Sequence, residues 1–193
     1  MTNDFLDLAP AARRIAVLAD AVRDDQLADP TPCPAHAVRN MLGHLTGLSV
    51  AFRDAARKDL GETTNASPQS AVPDIDGDWR ATLPVALDEL AAAWREPTAW
   101  EGMTQAGGLT LPAAQAGVVA LNELVIPGWD LARATGQPYA PAPADLEVSR
   151  GMLSAFADRP DGGPFGRPVA VPGDAPLLDR VVGLAGRDPS WRP

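Results

Sequence analysis

The chain has 193 residues, 46% of them hydrophobic, and its 25 acidic residues outnumber 16 basic ones, for a formal charge of −9. This length and composition predict one soluble globular protein. The acidic balance argues against nucleic acid as a partner, because phosphates would repel the chain. A single cysteine excludes an internal disulfide. With no signal peptide and no apolar run near the ~18 residues of a membrane span, we expect a cytoplasmic protein that does not enter membranes.

Helical periodicity dominates the first part of the chain and predicts four long amphipathic helices. The first runs from about 7 to 26, and the second from about 35 to 59 after a proline-rich turn. The third begins at an Asp78 cap and continues to about 94, and the fourth runs from about 110 to a stop at Gly136.

The segments between and after these helices are shorter and less regular. We predict a loop over 61–77 and an irregular stretch over 96–109, where glycine pairs allow a short hairpin. Beyond 137, a fifth helix is predicted over 145–156, a Pro- and Gly-rich loop over 158–173, and a last short helix over 176–184.

Four apolar stripes of this length favour an all-α fold, an up-and-down four-helix bundle, because each stripe needs facing stripes to bury it. We place the bundle at 1–137. Residues 138–193 are predicted to form a small extension of short helices and loops, packed on the bundle rather than folding as an independent domain.

Two residues on these helices suggest a metal site. Glu123 interrupts the apolar run 118–126, where an unpaired carboxylate is costly unless a cation or a base neutralises it. His44 borders the apolar stripe of the second helix and is placed to face the fourth. Two ligands are one short of the three that a catalytic zinc site usually has, and the position one turn after Glu123 is Pro127, which has no donor.

Other side chains are poor third ligands on spacing alone. His36 is predicted to lie about 12 Å along the helix axis from His44, too far to share one ion, and Asp130 about 10 Å from Glu123. Asp130 would reach the same ion only if the helix deformed at Pro127. A hydrogen-bonded structural pair is therefore the alternative interpretation of His44 and Glu123.

Two further residues allow both a functional and a structural interpretation. Cys33 precedes a predicted helix, whose dipole can lower the pKa of a thiol, but a packed turn cysteine is the simpler assignment. Trp129 either lines a cleft beside Pro127 or belongs to the core. The chain has no dinucleotide or phosphate loop and no nucleophile elbow.

Three blocks of the sequence, taken in order, resemble a known family. They are 30–45 (PTPCPAHAVRNMLGHL), 123–137 (ELVIPGWDLARATGQ) and a C-terminal block over 165–191. In these blocks the chain is similar to the mycothiol-dependent maleylpyruvate isomerase-like proteins of actinobacteria, in the DinB-like metal-binding superfamily.

The resemblance implies a DinB-like four-helix bundle and a divalent metal, typically zinc or nickel. In the family, one His of the second helix and a Glu-x-x-x-His pair of the fourth hold that metal. Matched by position, His44 is the first ligand and Glu123 the second, but Pro127 stands where the family has its second His. His36 stands where relatives usually have an aromatic residue such as Trp.

The resemblance also implies mycothiol as cosubstrate, and it leaves two functions open. The chain is either a metal- and mycothiol-dependent isomerase or S-transferase for a small organic substrate, with an altered metal site. Alternatively, it is a non-catalytic module that has lost its metal and binds a small ligand or a protein. The family context also allows a homodimer.

Overall fold

The computed structural model describes residues 6–66, 72–157 and 165–193, so the predicted loops over 61–77 and 158–173 lie partly outside the described residues. The described residues are mostly helical. The helices are α1 (Ala9–Asp20), α2 (Val38–Arg57), α3 (Glu62–Asn65), α4 (Trp79–Ala93), α5 (Ala113–Thr135), α6 (Pro143–Ser154) and α7 (Leu177–Leu184). Short 3-10 turns occupy Asp24–Gln26 and Pro97–Trp100, and one hairpin joins β1 (Met103–Ala106) to β2 (Leu109–Pro112). No helix in these ranges is long and apolar enough to span a membrane.

The predicted all-α four-helix bundle is confirmed, and its helices are α1, α2, α4 and α5. Helix α2 packs against α4 and α5, and α1 packs against the same two helices from the opposite side. The order around the bundle is therefore α1, α4, α2, α5, so the first two helices lie diagonally opposite and not side by side as the predicted up-and-down order requires. The side chains that meet at its centre are fully buried, among them Ile15, Met41, Leu42, Leu45, Leu83, Leu87, Leu121, Val125 and Leu131.

The start of α2 differs from the prediction in a way that matters for the site. We predicted helix from about residue 35, but the helix begins at Val38. The preceding turn is held by Thr31, whose Oγ1 lies 2.7 Å from the carbonyl oxygen of His36 and accepts the N–H of Cys33 at 3.2 Å. Because Asn40 Oδ1 accepts the N–H of Ala37 at 3.0 Å, the first helical turn is capped just after this loop.

The segment between α2 and α4 also contains structure that the loop prediction missed. Helix α3 lies within the predicted loop and packs on α2 and β1, and Gly108 donates its N–H to the Thr64 carbonyl at 2.9 Å. The hairpin turns at Gly107 and Gly108, whose φ values of 59° and 77° are readily reached by glycine alone. The irregular stretch therefore does form the short hairpin that its glycines allowed.

The C-terminal helices complete the same hydrophobic core. Helix α6 packs on α5, and α7 packs on α6. Leu146, Leu153, Val181 and Val182 are all buried within the cluster that also contains the bundle side chains. The last segment then returns to α5, where Arg133 donates to the carbonyl oxygen of Pro189 at 2.6 Å.

Candidate functional site

The two predicted metal ligands meet between α2 and α5. His44 Nε2 lies 3.3 Å from Glu123 Oε2, and the two side chains are 22% and 20% exposed. From Ala120 to Ala132, every residue of α5 except Glu123 is buried. The carboxylate therefore lies at the one place where this part of the helix reaches solvent, and His44 covers it from α2.

Position 127 adds no ligand to this pair. Pro127 is buried within α5 and has neither a side-chain donor nor a backbone N–H. Among the residues that the structure describes, no three His, Cys, Asp or Glu side chains form a group that could hold a metal ion.

The pair itself nevertheless has the chemistry and spacing of two ligands of one ion. Imidazole nitrogen and carboxylate oxygen are ordinary zinc ligands, with bond lengths near 2.0–2.2 Å. Two such donors on a tetrahedral ion are about 3.4 Å apart by geometry. The 3.3 Å between His44 Nε2 and Glu123 Oε2 fits that spacing, and it also fits a long hydrogen bond.

His36 lies beside His44, contrary to the distance argument made from sequence. That argument assumed a helical His36, but the helix begins two residues later, and the turn brings the ring back towards α2. The ring centroids of His36 and His44 are 5.5 Å apart, so the only two histidines of the chain lie side by side. Burial lowers the pKa of His36, and the nearby His44 and Arg187 lower it further.

Cys33 contacts the other side chain of this cluster, His36. Its Sγ lies 3.5 Å from His36 Nδ1, and the thiol is half-buried. Burial raises the pKa of Cys33, although the positive charge of Arg187 acts in the opposite direction. The thiol is therefore protonated near neutral pH, which favours the packed turn cysteine over a reactive one.

Asp130 is not available as a ligand, because Arg187 occupies it. The carboxylate is completely buried, and the Arg187 guanidinium donates to Oδ2 at 3.0 Å and to both oxygens at 3.3 Å. Burial raises the pKa of Asp130, and Arg187 counteracts that effect. The same guanidinium donates to the carbonyl oxygens of Ala185 and Phe165, which ties the C-terminal segment to α5 beside the cluster.

Sequence analysis did not identify Arg187 as part of the site. It is one of 16 basic residues, and nothing in its spacing distinguishes it from the others. The only available signal was its place in the C-terminal block that carries the family resemblance. Pairing with a buried aspartate 57 positions away depends on the tertiary fold.

Trp129 does not line a cleft, because it is buried and Arg133 lies over its ring. One cavity among the described residues touches the site; it lies between α2, α4 and α5 and is bounded by Phe52, Leu90 and Glu123. Its volume is about 10 Å³, which is room for about one water molecule and not for a substrate.

The fold and site define a class of protein: a four-helix bundle with a His–Glu pair between two neighbouring helices, at the edge of the core. The family described as "Mycothiol maleylpyruvate isomerase N-terminal domain" matches residues 8–132, and the chain belongs to this family. No curated protein matches the chain.

Two solved structures share the fold. They are mycothiol-dependent maleylpyruvate isomerase and a variant of that enzyme with one histidine changed to alanine. Each has a TM-score of 0.56 and 14% identity, over 78% of this chain and 68% of the other. At this identity the likeness establishes the common fold alone.

Proposed function

We propose that this protein is a mycothiol-dependent isomerase or S-transferase with an altered metal site. In this proposal His44 and Glu123 hold a divalent cation, zinc or nickel, and Pro127 supplies no ligand. The observation that carries the proposal is the 3.3 Å contact between His44 and Glu123, which two different helices bring together at a point open to solvent. Membership of the family supports mycothiol as the cosubstrate.

The residues of this chain have distinct roles in the proposal. His44 and Glu123 provide one neutral and one anionic donor, and their partial exposure gives a small thiol access to them. Such a cation, when bound, is a Lewis acid that stabilises a thiolate near neutral pH. Arg187 neutralises Asp130, whereas Glu123, which contacts His44, has no such arginine partner among the described residues.

A non-catalytic module is the second candidate, and two observations favour it. Position 127 has no ligand, and the cavity against Glu123 measures about 10 Å³, too small for an organic substrate. In that case His44 and Glu123 are a hydrogen-bonded pair that joins α2 to α5.

Metal content separates the two candidates. The tag-free chain of 193 residues should contain close to one equivalent of zinc or nickel per chain by elemental mass spectrometry. The Pro127→His variant should bind zinc at least tenfold more tightly, because it adds a ligand one helical turn from Glu123. Glu123→Gln should lose the metal while retaining its thermal unfolding midpoint.

The opposite results support the non-catalytic module. Protein that stays metal-free after dialysis against excess zinc and nickel contradicts a working site, as does a Glu123→Gln variant that loses stability instead of metal. If metal is present, calorimetric titration with mycothiol should show binding that requires the metal. Absence of that binding would contradict mycothiol as the cosubstrate.

A further inference from the structure

The ring of His36 packs against the ring of His44. Their centroids are 5.5 Å apart and the two ring planes are tilted by 35°. Packed ring pairs generally have centroids about 4.5–7 Å apart. Nε2 of His44 lies 3.3 Å from Glu123 Oε2. The His44 side chain thus meets a carboxylate at one nitrogen and a second imidazole against its ring.

The turn before α2 holds His36 in place. The Thr31 hydroxyl donates to the His36 carbonyl oxygen at 2.7 Å and accepts the N–H of Cys33 at 3.2 Å. The ring of His36 is held as well, since its Nδ1 lies 3.5 Å from Cys33 Sγ. Burial raises the pKa of Cys33, so the protonated thiol donates to Nδ1. Both the backbone and the ring of His36 are therefore fixed before α2 begins.

His44 has weaker restraints on its own. Its side chain is 22% exposed, and a residue on a helix commonly adopts either of two χ1 rotamers. The hydrogen bond to Glu123 is long and open to solvent, so water competes with it. Packing against the fixed ring of His36 adds a contact that is made in only one of these rotamers.

We propose that His36 is a positioning residue for His44. Its ring holds the His44 ring in the rotamer that directs Nε2 at Glu123. The inference rests on the proposed function, because it concerns how the same His44–Glu123 pair is kept ready for a ligand. In this role His36 contributes no ligand atom, and every contact that it needs is already made in the structure.

The rotamer of His44 tests this role without any metal. The chelator-treated, tag-free chain of 193 residues is isotope-labelled, and NMR measures the three-bond Hα–Hβ couplings of His44 at one fixed neutral pH. We expect couplings of a single rotamer in the unaltered protein. His36→Ala removes the ring and should leave His44 averaged between rotamers. His36→Phe retains a ring without any nitrogen and should keep the single rotamer.

Zinc affinity measures the consequence for the site. In a competition titration, His36→Ala should weaken Zn²⁺ binding about tenfold, as the loss of a group that orients a ligand commonly does. His36→Phe should bind Zn²⁺ as tightly as the unaltered protein. Arg39→Gln changes an exposed residue of α2 that pairs with Asp74, and it should alter neither measurement. If His36→Ala does not fold, His36→Gln, which also lacks a ring, takes its place.

The two measurements separate this inference from the proposed function. If the unaltered protein binds no Zn²⁺, the proposed function is contradicted, but the couplings of His44 still decide the role of His36. A single His44 rotamer in a folded His36→Ala variant contradicts the positioning role, and so do averaged couplings in the unaltered protein. Equal losses of Zn²⁺ affinity in His36→Ala and His36→Phe would mean that the nitrogens of His36 matter and not its packing, which overturns the proposal.

Discussion

Asp130 shows how one buried charge couples the end of the chain to the site. An unpaired carboxylate in the core costs several kcal/mol, and the desolvated Asp130 avoids that cost through its paired contact with Arg187. Because Arg187 also donates to two backbone carbonyls, its guanidinium holds the C-terminal segment beside Cys33 and His36. The ion pair therefore joins the C-terminal segment to α5.

Arg187→Met should lower the free energy of unfolding by about 3–5 kcal/mol at pH 7, because it leaves the Asp130 carboxylate buried and unpaired. The double variant Asp130→Asn, Arg187→Met should lose less than the sum of the two single variants. Urea unfolding of the unaltered protein, the two single variants Arg187→Met and Asp130→Asn, and the double variant measures both effects.

The deficit in the free energy of unfolding that Arg187→Met causes should also depend on pH. Burial raises the pKa of Asp130, and removing Arg187 takes away the charge that counteracts this. The folded variant then binds a proton that the unfolded chain does not, so its deficit should shrink as the pH is lowered from 7 towards 5. A deficit independent of pH would contradict an ionised Asp130 in the native protein.

At the scale of an element, Pro127 and Gly128 determine the backbone hydrogen bonding and the close packing of α5 beside the site. Proline removes the N–H that would bond to the Glu123 carbonyl, so the helix lacks one backbone hydrogen bond at the site. Tyr139 packs against this turn and donates its hydroxyl to the Val125 carbonyl at 2.8 Å. Burial raises the pKa of Tyr139, so the hydroxyl remains a donor at all ordinary pH values.

Gly128→Ala should destabilise the protein by about 1–3 kcal/mol, because the added Cβ would lie 2.5 Å from Ile15 Cδ1 and 2.7 Å from the Tyr139 hydroxyl. Thermal and urea unfolding measure the change. Gly47→Ala is the matched control, since this helical glycine of α2 has open space at its Cβ and should gain up to about 1 kcal/mol. Equal effects at the two positions would mean that α5 is not tightly packed at Gly128.

At the scale of the whole molecule, the bundle and the C-terminal extension share one core. Leu146 and Leu153 of α6 and Val181 and Val182 of α7 lie in the same buried cluster as the side chains of the bundle. Removing α6 and α7 would expose apolar faces of α5 and leave Asp130 without Arg187.

A chain truncated after Gln137 should therefore lose cooperative thermal unfolding and bind a hydrophobic dye such as ANS. Circular dichroism and dye fluorescence, compared with the full chain, test this. A truncated chain that unfolds cooperatively at the full-length midpoint would show that the bundle is an independent domain. The predicted division at 137 and 138 would then separate two folding units.

Some of these features could be predicted from the sequence because they depend on local periodicity and motifs. The four bundle helices follow from apolar residues repeated every three to four positions, and Gly136 ends α5 with a φ of 70°, as a glycine at a helix end commonly does. The motif blocks around Cys33, His44 and Glu123 indicated the family, which the match over 8–132 confirms.

Other features depend on contacts between residues far apart in sequence, and the tertiary structure alone decided them. The order of helices around the bundle follows from how the apolar faces pack together, and periodicity carries no information about it. The Asp130–Arg187 pair joins positions separated by 57 residues. His36 lies beside His44 because hydrogen bonds in the preceding turn delay the start of α2 to Val38. A continuous helix would have separated the two residues by about 12 Å along its axis, whereas their rings are adjacent in the structure.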